Sequence, residues 1–249
     1  MKRWYNLKIF GSFEQLRTEI ELRFPKSELV MLQTTDHKNI HGYWIPFNQS
    51  DETDLRVEGP APTMILCGPN AEQCEMIQYN SELLNFYLNN GINVMVFNYR
   101  GYGLSEGTPS VWKIKQDSET VAAYVRQRVG QNAKIGAHGR SIGGIVASHL
   151  ARKGLVDFLF ADRTFMSLNE VASAMLGAWA GYGLPILTGW LDTDVTSDYV
   201  FSSCYKVLGA ANNDEIIQDT ASLKTGVAKM IIQNELKTRL MEQAFKLRQ

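Results

Sequence analysis

The sequence predicts an α/β fold with a mainly parallel sheet and helices on both faces. Short segments that are apolar throughout alternate with longer segments of helical periodicity. Strands without polar alternation are typical of a parallel sheet that is buried on both faces. The 249 residues, of which 45% are hydrophobic and 20% are charged, can bury a substantial core. We therefore expect one domain over residues 1–249.

The predicted elements follow one another in a regular order. An amphipathic helix begins at Ser12 and ends before Pro25, and residues 29–47 predict two strands around a polar turn at 36–39. Five further strands are predicted at 63–67, 92–98, 134–139, 156–162 and 204–211. Helices are predicted at 72–90, 110–129, 141–153 and, with a bend or break, 221–249. The apolar segment 167–200, which Gly and Pro interrupt, predicts a cap inserted between the last two strands.

Charge and composition argue against several classes of protein. A net charge of −1 offers no attraction to nucleic acid or to an anionic membrane, and no apolar run reaches the roughly 18 residues of a spanning helix. The chain has three widely spaced cysteines, Cys67, Cys74 and Cys204. Their number and spacing indicate neither a disulfide framework nor a metal site. We expect no metal, no cofactor and an intracellular, cytoplasmic protein. The basic residues before Glu14 leave a mitochondrial presequence as the alternative.

The stretch HGRSIGG (138–144) carries the clearest chemical signal. It follows a predicted buried strand and opens a predicted apolar helix, which is the setting of a nucleophile elbow. Such a turn strains the backbone of Ser141 and requires Gly139 and Gly143, because side chains there would clash with the strand and the helix. The N–H of Ile142 would then lie at a helix N-terminus, where it can stabilise an oxyanion. The alternative is a tight turn with a helix-capping serine.

Four stretches, in order along the chain, are together specific: LCGPNAEQ (66–73), FNYRGYGLSEGTPS (97–110), the elbow, and NNDEII (212–217). Over about residues 30–225 the sequence resembles the α/β-hydrolase superfamily, in the serine aminopeptidase-like branch that includes acyl-protein thioesterases. The first stretch resembles the family's oxyanion loop, and the last resembles the loop that presents the catalytic acid.

The resemblance implies a role for four residues. Ser141 would be the nucleophile, Asp214 the acid, and Asn70 and Ile142 the backbone donors of the oxyanion hole. Asp214 has an alternative interpretation as a turn aspartate, in which case Asp162 would be the acid. The loop also departs from the family pattern, because Gly68 and Pro69 stand where His-Gly is usual. Since proline has no N–H and restricts the preceding residue, we expect a different loop path.

The base is the larger departure from the family. The family supplies a histidine on a loop after a further strand, downstream of the acid, whereas all four histidines of this chain precede Asp214. His37 and His41 belong to the early strands, His138 should lie buried beneath the elbow, and His149 should point away from the site. We expect none of them to reach Ser141. The sequence thus predicts a sheet without its last strand, either through truncation or because that segment lies outside these residues.

Two functions follow as hypotheses. In the first, a hydrolase-fold homologue without a histidine base, inactive or weakly active, serves as a binding or structural subunit of a larger assembly. In the second, the protein is an active serine hydrolase of acyl esters or thioesters whose histidine lies beyond residue 249. The apolar cap suits an acyl-containing small molecule and equally a protein partner.

Overall fold

The computed structural model describes residues 13–47, 59–177, 193–211, 214 and 216–246. The strands in these residues are β1 Glu28–Gln33, β2 Asn39–Ile45, β3 Thr63–Cys67, β4 Asn93–Phe97, β5 Ile135–Arg140, β6 Phe158–Asp162 and β7 Tyr205–Gly209. They form one seven-stranded sheet in the order β1-β2-β4-β3-β5-β6-β7. β2 runs antiparallel to β1 and β4, and the other neighbours are parallel. The predicted mainly parallel sheet is confirmed.

Helices cover both faces of this sheet. The α-helices are α1 Phe13–Arg23, α2 Ser81–Asn89, α3 Val111–Val129, α4 Gly143–Arg152, α5 Leu168–Leu176, α6 Val195–Val200 and α7 Leu223–Lys246. α3 and α4 pack in one apolar cluster with the sheet, which includes Val121 and Val146, and α1 and α2 pack in the other through Ile20 and Leu84. Every residue of β3 and β4 is buried, as expected of central strands.

The predicted helix over 72–90 is wrong in its first half. Residues Cys74–Asn80 form a 3₁₀ helix, and only Ser81–Asn89 is α-helical. The amide of Asn98, at the end of β4, explains the difference. Its oxygen accepts from the Cys74 N–H at 2.8 Å and its nitrogen donates to the Glu75 carboxylate at 2.8 Å, which ties this turn to the sheet. A tertiary contact thus overrides the local helical preference.

The predicted break in the C-terminal helix is also wrong, because α7 continues without interruption from Leu223 to Lys246. Leu223 is buried and Val227 packs on the core, whereas Ile232 and Leu236 are exposed. Residues 231–238 of the helix are all exposed, so the apolar side chains there do not pack on the core. The change of apolar face therefore required no break in the helix, and the alternative of a bend stays a prediction.

The region predicted as a cap lies only partly within the described residues. α5 and α6 connect β6 to β7, and residues 178–192 between them lie outside the described part, so the cap stays a prediction. Among the helices that the structure describes, none combines the length and the apolar character needed to cross a membrane.

Candidate active site

The ends of three parallel strands bring the candidate residues to one edge of the sheet. In the register, Arg140 at the end of β5 pairs with Asp162 at the end of β6, and Asp162 pairs with Gly209 at the end of β7. Ser141 and Arg163 are the next residues of their strands, and the chain that leaves Gly209 leads to Asp214. The carboxyl ends of parallel strands are where α/β proteins form their sites.

Ser141 lies at the turn between β5 and α4 with a strained backbone, as predicted. Its φ is 55°, in the left-handed region that side chains disfavour, and α4 begins only at Gly143. The Ser141 N–H donates to the Asp162 carbonyl at 3.2 Å, and the Thr164 hydroxyl donates to the Ser141 carbonyl at 2.6 Å. The last residue of β6 and Thr164, two residues further on, therefore hold the Ser141 backbone on both sides.

The two glycines of the elbow are required for close packing. A Cβ built on Gly139 would overlap the Gly143 carbonyl, and a Cβ built on Gly143 would overlap the carbonyl of Cys67 at the end of β3. Both obstacles are backbone atoms, which cannot move aside as a flexible side chain can. The prediction that side chains at these positions would clash is confirmed.

Backbone strain is concentrated at this edge. Among the described residues, four non-glycine residues have a positive φ, and three of them lie here: Ala71 at 66°, Ser141 at 55° and Arg163 at 44°. The fourth, His37, lies in the turn between β1 and β2. Each such residue costs on the order of 1–3 kcal/mol, and strain of this kind persists at functional sites when the surroundings enforce it.

The predicted oxyanion donors, Asn70 and Ile142, lie on either side of the contact between Gly143 and the end of β3. Ile142 has helical angles and precedes the first residue of α4, so its N–H is at the helix N-terminus. Asn70 lies in the turn after β3, and its side-chain oxygen accepts from the Tyr102 hydroxyl at 2.7 Å. Gly143 packs against the Gly68 carbonyl, which brings the start of that loop to the elbow. The donor role of both residues stays a prediction.

Asp214 follows β7, and its carboxylate oxygen Oδ1 accepts from the N–H groups of Ile216 and Ile217, both at 2.9 Å. These are the contacts of a turn aspartate. Asp214 also lies near enough to Arg163 to raise the pKa of that guanidinium, although the Asp162 carboxylate is the main cause. The acid role of Asp214 stays a prediction.

Asp162, the alternative acid, lies beside Arg163 and His138. The Arg163 Nη2 lies 3.0 Å from its Oδ2, and the His138 Nε2 lies 3.8 Å from the same oxygen. Burial alone would raise the pKa of Asp162, but His138 and Arg163 outweigh it and lower the pKa to about 2. Because the pKa in the folded state is lowered, Asp162 stabilises the fold above its ordinary value of 3.8, and this contribution is lost as the pH falls toward about 2.

We expect Asp162→Asn to remove this pH dependence. The free energy of unfolding of the unaltered chain should fall between about pH 4 and pH 2, and the variant should start lower and fall less across the same window. Urea denaturation at several pH values measures both slopes. Asp219→Asn, which alters an exposed aspartate paired with Lys224 at 2.7 Å, is the control. Parallel slopes for all three proteins would contradict the assignment.

The four histidines make their contacts away from Ser141 and Asp214. His138 is buried, with its Nδ1 2.9 Å from the Tyr87 hydroxyl and its ring stacked on Phe160. His149 pairs with Glu119 of α3 at 2.7 Å. His41 lies on β2 and His37 in the turn before it, and in the sheet order β4 and β3 separate β2 from β5. His138 is buried as expected, and the expectation that none of the four histidines reaches Ser141 stays a prediction.

Sequence reasoning missed an ion pair that joins the loop at 68–72 to the elbow. Arg140 Nη2 lies 2.6 Å from Glu72 Oε2, and Asn80 Nδ2 donates to the other oxygen of Glu72 at 2.9 Å. Burial raises the pKa of Glu72, although Arg140 and Asn80 favour its charged form. The signal in the sequence that could have indicated this ion pair is the arginine directly before Ser141. Among the described residues no cluster of His, Cys, Asp and Glu could hold a metal ion.

Known proteins share this architecture. An esterase from Pyrococcus furiosus, Pf2001, superposes with a TM-score of 0.65 at 19% identity over 87% of this chain and 79% of its own. An alpha-beta hydrolase from Vibrio vulnificus superposes with a TM-score of 0.64 at 21% identity over 94% of this chain and 82% of its own. The sheet order and these likenesses define an α/β-hydrolase fold.

The sequence itself identifies a family. The family described as Chlamydia CHLPS protein (DUF818) matches residues 64–238, and the chain belongs to this family. Protein bem46 of Schizosaccharomyces pombe is 30% identical over 164 residues, which cover 65% of this chain and 52% of that protein. The chain spans about half the length of the curated relatives it matches.

Proposed function

We propose that this chain provides the nucleophile, the acid and the oxyanion donors of a serine hydrolase site for acyl esters or thioesters, and that none of its own histidines serves as the base. The observation that carries the proposal is the strained Ser141, with a φ of 55°, held by Asp162 and Thr164. A serine that only capped the helix would need no left-handed backbone.

In the proposed reaction Ser141 Oγ attacks the acyl carbonyl carbon, and its proton passes to a base and then to the departing alcohol or thiol. The N–H groups of Asn70 and Ile142 would stabilise the oxyanion, helped by the N-terminus of α4. Water then releases the acid from acyl-Ser141. Asp214 would orient the base through Oδ2, because Oδ1 already accepts two backbone N–H groups.

A second function is favoured by the contacts of the histidines. His138 and His149 are engaged with Tyr87 and Glu119, and the strand β2 that carries His41 is separated from β5 by β4 and β3. Without a base, Ser141 is a weak nucleophile, so the chain by itself would bind acyl groups or a protein partner and turn over little. Such a protein would serve as a binding or structural subunit of a larger assembly.

Labelling with a fluorophosphonate probe, with and without added imidazole, separates the two functions. For the hydrolase site we expect slow labelling of Ser141 that free imidazole accelerates, because the small base can enter where the histidine is missing. Ser141→Ala should abolish the label, which peptide mapping locates. An absence of labelling even with imidazole would favour the binding function. Rapid stoichiometric labelling without imidazole would show that the chain holds a base of its own.

A further inference from the structure

The loop at 68–72 has little backbone structure to hold it in place. It follows β3 without helix or strand, and a long backbone hydrogen bond of 3.4 Å, from the Glu72 N–H to the Pro69 carbonyl, closes its turn. Ala71 adds strain with a φ of 66°. An oxyanion donor must be fixed before the reaction, because a donor that reorients stabilises the transition state less.

Side chains from three other segments hold the loop in place through hydrogen bonds. The Tyr99 hydroxyl donates to the Gly68 carbonyl at 2.8 Å, and the Tyr102 hydroxyl donates to the Asn70 side chain at 2.7 Å. At the other end of the loop, Glu72 is bonded by Arg140 and by Asn80. The loop is thus bonded at its beginning, middle and end, and each partner lies on an element that is itself anchored.

The two tyrosines lie on a rigid support. Between them in sequence, Arg100 is fully buried, with its Nη2 2.6 Å from Asp117 Oδ1 and its Nη1 2.7 Å from Asp36 Oδ2. The Tyr99 and Tyr102 rings pack edge to face with centroids 5.7 Å apart. Hydrogen bonds to buried charges are among the stronger ones in proteins, so the segment that presents both hydroxyls is itself well fixed.

The Arg140–Glu72 pair connects the loop to the nucleophile directly. Arg140 is the last residue of β5 and precedes Ser141, so a displacement of the strand end moves both the elbow and the partner of Glu72. The side chains are 29% and 18% exposed, so water screens this pair less than a surface ion pair. An ion pair at this point couples the loop position to the elbow position.

We propose that Tyr102 and the Arg140–Glu72 ion pair are positioning residues, which set the loop at 68–72 for oxyanion stabilisation beside Ser141. The inference rests on the proposed hydrolase function and deepens it. These residues act through Asn70, Glu72 and the loop backbone, because their hydrogen bonds are with the loop. Pro69, which replaces the usual glycine, removes one backbone donor, and the side-chain bonds compensate for the resulting loss of backbone contacts.

The test uses Tyr102→Phe, which removes one hydroxyl and keeps the ring, and Arg140→Gln, which removes the cation. Tyr124→Phe is the matched control, because its hydroxyl accepts from Arg128 on the exposed side of α3, at 2.8 Å. Hydrogen exchange of the peptide that covers residues 66–73 measures loop opening and needs no activity. Imidazole-supported fluorophosphonate labelling measures the reactivity of Ser141, and the thermal midpoint measures global stability.

We expect exchange of the loop peptide to become about tenfold faster in both variants, because each variant loses side-chain hydrogen bonding to the loop. The imidazole-supported labelling rate should fall about tenfold, with a thermal midpoint close to that of Tyr124→Phe. Unchanged loop exchange overturns the inference, and so does a looser loop with an unchanged labelling rate. If the unaltered chain is never labelled, the hydrolase function itself fails, which the variants alone could not cause.

Discussion

Gly143→Ala is expected to prevent the elbow from forming as observed, and to lower the free energy of unfolding by about 3 kcal/mol or more. The added methyl would overlap the carbonyl of Cys67, with the Gly68 carbonyl also close. Cys67 ends β3, which pairs with β4 on one side and β5 on the other. Because that backbone cannot yield without breaking sheet hydrogen bonds, the start of α4 must move instead. Urea denaturation measures the loss.

Gly154→Ala is the matched control for this substitution. Gly154 has a φ of 69° and no atom within 4 Å of a built Cβ, so alanine there meets only the conformational penalty of about 1 kcal/mol. The difference between the two variants isolates the steric contact at the elbow. Equal losses for Gly143→Ala and Gly154→Ala would contradict the packing of the elbow against β3. A clearly larger loss for Gly143→Ala than for Gly154→Ala would support that packing.

The sequence could predict the sheet and the elbow because both depend on local patterns. β3, β4 and most of β5 are buried on both faces, so each appears as a short run without charged residues. At the elbow, nearby backbone atoms leave no room for a side chain at Gly139 or Gly143. The spacing of the two glycines in the sequence is therefore enough to predict this close packing. Patterns of this kind can be recognised in a single sequence.

The remaining features depend on partners that are distant in sequence. Arg140 and Glu72 are 68 residues apart, and Tyr102 and Asn70 are 32 apart, so no periodicity relates them. The 3₁₀ helix after residue 73 likewise follows from a bond to Asn98, which is 24 residues from Cys74. Helical propensity predicts a helix there, and the tertiary bond changes its type. Such contacts require the fold before they can be recognised.

The strained elbow and the positions of the histidines have opposite implications for activity. The backbone of Ser141, with a φ of 55°, has an energetic cost, and strain of this kind favours the hypothesis of chemistry at this residue. The contacts of His138 with Tyr87 and of His149 with Glu119 favour the hypothesis that neither histidine serves as the base. Both observations are compatible with a base that comes from outside this chain. They are equally compatible with a site that binds a ligand without hydrolysing it.

The 249-residue chain is therefore expected to hydrolyse an activated ester, such as a p-nitrophenyl acyl ester, barely above background. In a well-studied serine protease, loss of the histidine lowers kcat by roughly 10⁶-fold and leaves roughly 10³–10⁴-fold over water from the oxyanion donors and substrate binding. Since Ser141 contributes little without a base, Ser141→Ala should change the rate by less than about threefold, a small fraction of what an intact triad supplies. Initial rates at matched protein concentrations compare the unaltered chain with Ser141→Ala. A fall of about 10³-fold or more on Ser141→Ala would mean that a base within these residues activates the serine, and that one of the four histidines reaches it in solution.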